Sequence, residues 1–361
     1  MNPRDFILPR VRAMHAYVPG LQLNDADVVK LNTNENPFGI SDAVRRALQE
    51  AIDRSPLHRY PEPRSEELRR EIARRNGLTA DQVLIGNGSD EILSIVFRAF
   101  CDTGQSAVVA EPSYSLYPGL LQAVGARHIP VDLDHHWRAN LPAMQESARQ
   151  QAARLIILTN PNAPTGVELS RPEILNWAGS LPCPLLVDEA YSDFAQTNVR
   201  DRAGSRETPG LMVCGTFSKS HSLAGQRIGW LLAHADLIAD LDKIRDSYNL
   251  SRLAQVAALA ALRDDEEFRR RITIVKENRA YLTEQLTTRG FEVLPSGANF
   301  VFTKPPLDLG AADLRDFLQA RKILVRHFAS PQRCLPYVRI SIGTRPELDK
   351  LLAVTDKWLG Q

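Results

Sequence analysis

Between residues 83 and 233 the chain alternates short, unbroken apolar runs with stretches of amphipathic spacing. VLIG (83–86), AVVA (107–110), RHIPV (127–131), RLIILT (154–159), PLLVDEA (184–190), LMVCGTF (211–217) and RIGWLLA (227–233) predict strands. Continuous β-branched and aliphatic runs bounded by turn residues are the mark of strands covered on both faces. Helices are predicted between them at 90–100, 114–124 and 171–179. Strands alternating with helices imply a mostly parallel sheet flanked by helices, an α/β fold.

Outside that stretch the pattern changes. Residues 1–30 are punctuated by proline and weakly periodic, an arm rather than a domain. A helix is predicted over 41–53, with Ser41 as N-cap and Asp42 in the first turn, and another over 64–76, ending at Asn76-Gly77. After residue 234 come helices at 236–248, 254–262 and 265–289, then short strands at 299–304, 323–328 and 337–343 around a helix at 310–320, and a last helix. The expected organisation is an arm (1–30), a large domain (56–249) and a smaller α+β domain made from 31–55 and 250–361.

Composition narrows the function classes. At 361 residues and 43% hydrophobic, the chain has ample material for a buried interior. Forty-four Lys and Arg against 43 Asp and Glu argue against a polyanion-binding module or a polybasic membrane anchor. No stretch approaches ~18 unbroken apolar residues, so no membrane span is expected. The opening MNPRDFILPRVRAM carries charges where a signal peptide needs its apolar core, and a cytoplasmic location is expected. Cys101, Cys183, Cys214 and Cys334 lie far apart, with neither zinc spacing nor a disulfide framework, and read as buried thiols. The run RRRITIVKENR reads as a solvated helix with one buried stripe, not a nucleic-acid patch.

Four features carry candidate chemistry, each after a predicted strand. Gly86-Asn87-Gly88-Ser89-Asp90 leads into a helix, where backbone amides and the helix dipole favour an anion. Lys219 is flanked by Thr216, Ser218 and Ser220, with Arg227 following; burial among hydroxyls and apolar residues favours a neutral, nucleophilic amine. Asp188 ends an apolar strand with Tyr191 three residues on, facing the crevice where α/β sheets bind ligands. Asn160-Pro161-Asn162-Ala163-Pro164-Thr165-Gly166 forms a turn at another strand end. Singly, each has a plain structural explanation. Together they are the equipment for pyridoxal phosphate: a Schiff-base lysine, an acid for the pyridinium nitrogen and a phosphate site.

With these motifs in place, the chain resembles the fold-type I, class I/II aminotransferases and, within them, is similar to the histidinol-phosphate aminotransferases. The resemblance runs in order through AYVPG (16–20), LNTNENPFG (31–39), RYPEP (59–63), GNGSDE (86–91), EPSYSLY (111–117), NPNAPTG (160–166), DEAY (188–191), TFSKSHSLAGQRIGW (216–230), ANFVF (298–302), ILVRHF (323–328) and YVRISIGT (337–344). It implies pyridoxal 5′-phosphate bound in the large domain and a catalytic Lys219 that forms the internal aldimine and shuttles the Cα proton. It also implies that Asp188 holds the ring-nitrogen proton, that Tyr191 bonds the 3′-oxygen and that Tyr114 stacks on the ring. Gly88, Ser89, Asp90, Ser218 and Arg227, with Thr216, match the phosphate cup. Tyr60 matches a tyrosine supplied by the neighbouring subunit of a homodimer. Arg339 and Arg326 match the arginines for the substrate's anionic group, and Tyr17 a tyrosine of the arm that covers substrate.

One departure is expected to matter. The family usually reads NPNNPTG; here the last Asn is Ala163, which cannot donate to the 3′-oxygen. Asn162 or Asn160 takes over, or Tyr191 serves alone, with an altered aldimine pKa. The activity implied is transfer of an amino group from histidinol phosphate to 2-oxoglutarate in histidine biosynthesis. The same residues would also serve an aromatic amino acid aminotransferase or a phospho-amino-acid decarboxylase. A non-enzymatic cofactor-binding regulator is disfavoured, because such proteins carry a DNA-binding domain ahead of this fold.

Overall fold

The apolar runs form strands because their side chains are covered on both sides. In the computed structural model, which describes residues 2–16, 20–23, 27–306 and 310–360, they assemble into a seven-stranded sheet. Its order is Val83–Gly86, Gly229–Leu232, Leu211–Thr216, Leu185–Asp188, Leu155–Thr159, Ser106–Glu111 and Arg127–Asp132. Neighbours are parallel except that Gly229–Leu232 runs against both of its partners. The four interior strands from Leu211 to Glu111 are almost wholly buried, whereas Arg127–Asp132 is half exposed and holds Pro130. A proline is tolerated on such an edge.

Separate hydrophobic clusters pack against the sheet's strands. One includes Val108, Ile156, Val187 and Val213, with Ala254, Ala257 and Ala258 of helix Arg252–Arg263. The other includes Val109, Ile157, Leu186 and Met212, with Leu93, Val96 and Phe97 of helix Ser89–Phe100. The alternation of these sets along each strand is the period-2 geometry of a sheet covered on both faces. Each fully buried Leu, Ile or Val contributes about 1.5–3 kcal/mol relative to exposure.

A third cluster joins Val29 and Leu31 to Val301, Ile340, Leu348 and Leu351, far along the chain. Here a four-stranded antiparallel sheet runs in the order Arg326–His327, Val338–Ser341, Phe300–Lys304, Glu292–Val293. The single run ILVRHF divides between two sheets. Ile323–Leu324 pairs parallel with Val29–Lys30, while Arg326–His327 pairs with Val338–Ser341. Helix Asp265–Thr288 buries Ile272, Val275, Leu282 and Leu286 along one stripe, as its spacing predicts.

Two elements depart from the sequence expectations. Helix Leu141–Gln150, capped by the Asn140 side chain on the Ala143 N–H, is absent from them; it buries only Met144 and Ala148, a thin periodic signal. The helix expected over 236–248 spans Ala235–Asp242. Beyond it, Asn249 donates to Ile85 O at 3.0 Å and to Glu91 Oε2 at 2.7 Å, and these tertiary bonds prevail over local periodicity.

Cys101, Cys214 and Cys334 are buried, Cys183 is half-buried, and all four are free thiols. Burial pushes the Cys101 thiol up to about 11 and that of Cys334 to about 12. Among the described residues no helix is long and apolar enough to cross a membrane, and no group of three His, Cys, Asp or Glu is placed to hold a metal ion.

Candidate active site

The register of the parallel strands brings their C-terminal ends into line: Thr159 is opposite Asp188, and Asp188 opposite Cys214. A cavity of about 360 Å³ opens at this edge. Ser89, Asp90, Tyr114, Asp188, Tyr191, Thr216, Ser218, Lys219 and Arg227 all line it, joined by Ala163 and by Thr33 and Glu35 from the segment before the first long helix.

One wall is built to receive an anion. Gly88, at φ +82°, turns the chain into helix Ser89–Phe100, whose first-turn N–H groups lack helical partners. A Cβ on Gly88 would lie 2.5 Å from Arg227 Nη2, so glycine lets the guanidinium lie against the turn. Arg227 donates to Asp90 Oδ2 at 3.0 Å, and Tyr114 donates to Asp90 Oδ1 at 3.2 Å. Thr216 Oγ1 accepts the Ser218 N–H at 3.1 Å and so shapes the loop that presents the Ser218 hydroxyl. Helix amides, two serine hydroxyls and a guanidinium are a donor set that fits a phosphate monoester.

The floor is a buried carboxylate. Asp188 is 3% exposed, and burial pushes its pKa up. Tyr117 O–H donates to Asp188 Oδ2 at 2.7 Å, and the Ala190 N–H donates to Oδ1 at 3.1 Å. Thr159 Oγ1 lies 2.8 Å from Tyr117 Oη and 2.9 Å from Ser113 Oγ. Each hydroxyl has one proton. With the Tyr117 proton committed to the carboxylate, Thr159 donates to Tyr117 and Ser113 to Thr159. This one-way chain favours the carboxylate form, opposing burial, and suits Asp188 to a cationic ring nitrogen such as that of a protonated pyridine.

Lys219 enters half-buried from the loop after strand Leu211–Thr216, and its Nζ donates to Thr33 O at 3.1 Å. Behind it, the Asn36 amide donates to the carbonyls of Lys219 at 3.0 Å and Ser220 at 3.1 Å, fixing the lysine's backbone. Tyr191, buried, receives a hydrogen bond on its hydroxyl from Asn34 Nδ2 at 3.0 Å. Glu35 accepts from Lys30 at 2.5 Å and Thr33 at 2.9 Å; burial would raise its pKa, but these bonds hold it below the usual value.

A second chamber of about 130 Å³ adjoins the first and shares Thr33, Tyr114, Ala163, Tyr191 and Lys219 with it. Arg326 and Arg339 line it, with Phe328. The two arginines are direct partners across antiparallel strands. Opposed residues of a strand pair share a face, so both side chains rise on one side of the sheet. Arg339 donates to Asn32 O at 3.1 Å, and its guanidinium lies 5.3 Å from the Phe300 ring and 5.4 Å from that of Phe328. Two guanidinium groups thus stand beside the apolar Phe328 in this chamber.

Asn162 and Tyr60 line neither chamber. Asn162 is turned away: its amide donates to Pro112 O and to Thr165 Oγ1, both at 3.0 Å, and Ala163 lines the cavity in its place. The Asn162 donor is thus spent on holding the turn. Tyr60 is 75% exposed, stacks on Tyr248 at 4.4 Å and lines neither chamber. Tyr17 lies outside the described residues. Conversely, sequence reasoning assigned no role to Asn34, Glu35, Asn36 or Tyr117. The first three sit in LNTNENPFG and the last in EPSYSLY, so the dense polar residues of those motifs were the available signal.

The chain and its fold have clear counterparts. The profile for aminotransferase class I and II matches residues 26–354. The histidinol-phosphate aminotransferase of Syntrophotalea carbinolica is 41% identical over 355 residues, covering 98% of both chains. That of Geotalea uraniireducens is 42% identical, covering 95% of this chain and 96% of its own. Among solved structures, the histidinol-phosphate aminotransferase of Sinorhizobium meliloti in complex with pyridoxal-5′-phosphate superposes with a TM-score of 0.87 at 24% identity, covering 96% of each chain. With a lysine, a buried acid and an anion cup gathered at one sheet edge, and a family match over nearly its whole length, the chain belongs to the class I and II aminotransferases.

Proposed function

We propose that this aminotransferase uses pyridoxal 5′-phosphate to move an amino group from histidinol phosphate to 2-oxoglutarate. The observation that carries the substrate class is the pairing of Arg326 with Arg339 beside the lysine cavity. One anion site at the helix N-terminus serves the cofactor's phosphate, and the arginine pair serves an anionic substrate. The curated relatives named above are histidinol-phosphate aminotransferases.

Bound pyridoxal phosphate supplies an electron sink for the charge left when the substrate's α-proton departs. Ser89, Ser218 and Arg227 hold its phosphate, with Gly88 giving the guanidinium room and Asp90 and Thr216 fixing the donors. Asp188 keeps the proton on the ring nitrogen, Tyr191 donates at the ring oxygen, and Tyr114 covers the ring. Lys219 Nζ is the base that takes the α-proton and the acid that returns it. Arg339 and Arg326 orient the phosphate of one substrate and the carboxylate of the other by the same planar donors. Tyr60, exposed and remote from its own cavity, reaches the phosphate of a neighbouring subunit in a two-fold dimer. The division into an arm, a large cofactor-binding domain and a small domain is part of this reading, supported by the cluster that joins residues 29–31 to the C-terminal third.

Half-reactions test the assignment. Histidinol phosphate added to enzyme loaded with pyridoxal phosphate should consume its visible absorbance with kcat/KM about tenfold or more above that of phenylalanine, and Arg339→Lys should erase most of the difference. Equal or reversed preference would transfer the assignment to aromatic amino acids.

A further inference from the structure

We infer that Asn34 is a positioning residue for the cofactor: by donating to the Tyr191 hydroxyl oxygen, it turns the Tyr191 O–H into the cavity, toward the cofactor's ring oxygen. This rests on the pyridoxal phosphate reading above and assigns a residue of the chain that the reading leaves without a role.

Asn34 is 1% exposed and sits at φ +56°, a conformation that asparagine tolerates better than most residues. Its backbone is held on both sides: the Asn34 N–H donates to Ser341 Oγ at 2.9 Å, and Asn299 Nδ2 donates to Asn34 O at 3.0 Å. The Ser341 hydroxyl donates to Asn34 Oδ1 at 3.1 Å, which directs Nδ2 to Tyr191 at 3.0 Å. The Tyr191 ring is set by the edge-on contact with Phe300, at 5.1 Å and 89°, so the O–H torsion is its remaining freedom. A phenol has one proton. With one lone pair occupied by Asn34, that proton is released to the cavity.

The neighbour of Tyr191 makes this consequential. Ala163, in the same apolar cluster as Tyr191, presents only a methyl group to the cavity, and Asn162 spends its amide on Pro112 and Thr165. The ionisable side chains lining the cavity are Glu35, Asp90, Tyr114, Asp188, Tyr191, Lys219 and Arg227, whereas the Asn34 side chain bonds the hydroxyls of Tyr191 and Ser341.

The test is a pH titration of the visible absorbance of the enzyme loaded with pyridoxal phosphate. A donor at the ring oxygen stabilises its negative charge, so the nearby Lys219 nitrogen gives up its proton at a lower pH; losing the donor raises the midpoint. Asn34→Gly keeps the backbone conformation and removes the amide. It should raise the midpoint by about 0.5–1 pH unit, the size of one ordinary net hydrogen bond. Ser341→Ala, a milder change that frees the amide, should raise it by less. In a Tyr191→Phe background the Asn34→Gly shift should vanish, since the effect passes through that hydroxyl. An undiminished shift in that background, or unchanged midpoints in Asn34→Gly and Ser341→Ala, overturns the inference. Should Asn34→Gly not fold, Ser341→Ala decides with and without Tyr191→Phe. If the unsubstituted enzyme lacks a visible band that depends on Lys219, the cofactor reading itself fails, a result distinct from any of these.

Discussion

Asp188, buried, and Asp193, half-buried, are two carboxylates on the same short stretch of chain, and their surroundings differ in kind. Asp193, 16% exposed, is closed by cations and hydroxyls. Arg200 Nη1 lies 2.9 Å from Oδ1, and Ser220 donates to Oδ2 at 2.5 Å. The same guanidinium reaches Glu189 at 3.0 Å and covers the Trp230 ring at 5.0 Å. Burial alone would raise the Asp193 pKa, but Arg200 pulls it below the usual value. Asp188 has neutral donors, the Tyr117 hydroxyl, the Ala190 N–H and the Cys214 thiol, and burial moves its pKa up. Asp193 is a finished ion pair that fixes the loop under Lys219. Asp188, held by neutral donors at the floor of the cavity, fits the proposed role of pairing with a cationic ring nitrogen.

The largest expected effect separates the two directly. Asp188→Asn should lower kcat/KM by about 10³-fold or more, because a neutral amide cannot hold the ring proton, while urea unfolding of the cofactor-free protein stays within about 1 kcal/mol or improves. Arg200→Met should do the reverse in kind. It strands Asp193 and Glu189 without their cation and should cost about 3–5 kcal/mol in urea unfolding. If Arg200→Met left stability unchanged, the closed-pair description would be wrong.

A smaller effect probes the hydroxyl chain. Tyr117→Phe removes the donor to Asp188 Oδ2 and further favours its protonated form. We expect kcat/KM to fall about tenfold and the acid limb of its pH profile to move to higher pH. A structural role alone would leave that limb in place.

The smallest effect is in acid stability. Asp193 has a folded pKa below its ordinary 3.8, so its stabilisation is present above that value and is lost as pH falls toward the folded pKa. Asp188 has the opposite sign. Its cost to the cofactor-free fold grows as pH rises past 3.8 toward its raised value, and is complete above it. In acid unfolding followed by circular dichroism, Asp193→Asn should flatten the loss below about pH 4, whereas Asp188→Asn should stabilise the apoprotein by about 1 kcal/mol near neutrality.

The seven strands were legible because each is a dense apolar run, and the residues at their C-terminal ends were legible because chemistry-bearing side chains follow such runs at once. Thr216, Ser218, Lys219 and Arg227 occupy one loop, so their proximity is nearly a property of the sequence. The partners of Asn162 were not legible for a local reason: the turn takes that amide for Pro112 and Thr165, and sequence spacing does not say which bond an amide makes. Tyr117 went unassigned because a tyrosine three residues after Tyr114 on an apolar stretch reads as core, which it also is.

Local order alone determined the alternation of strands and helices, the identity of the lysine, the acid and the anion cup, and the caps at Ser41 and Asn76-Gly77. Those properties depend on periodicity and on neighbours within a few residues, where backbone geometry leaves little choice. Tertiary structure decided what comes from distant segments: Asn34 against Tyr191, Asn36 on the lysine loop, Tyr117 under Asp188, and Arg326 opposite Arg339. Such contacts depend on strand register and on which of several possible partners each polar group takes when it is buried. A hydrogen bond or a register shift of one residue decides that, and neither leaves a mark in the spacing of the chain.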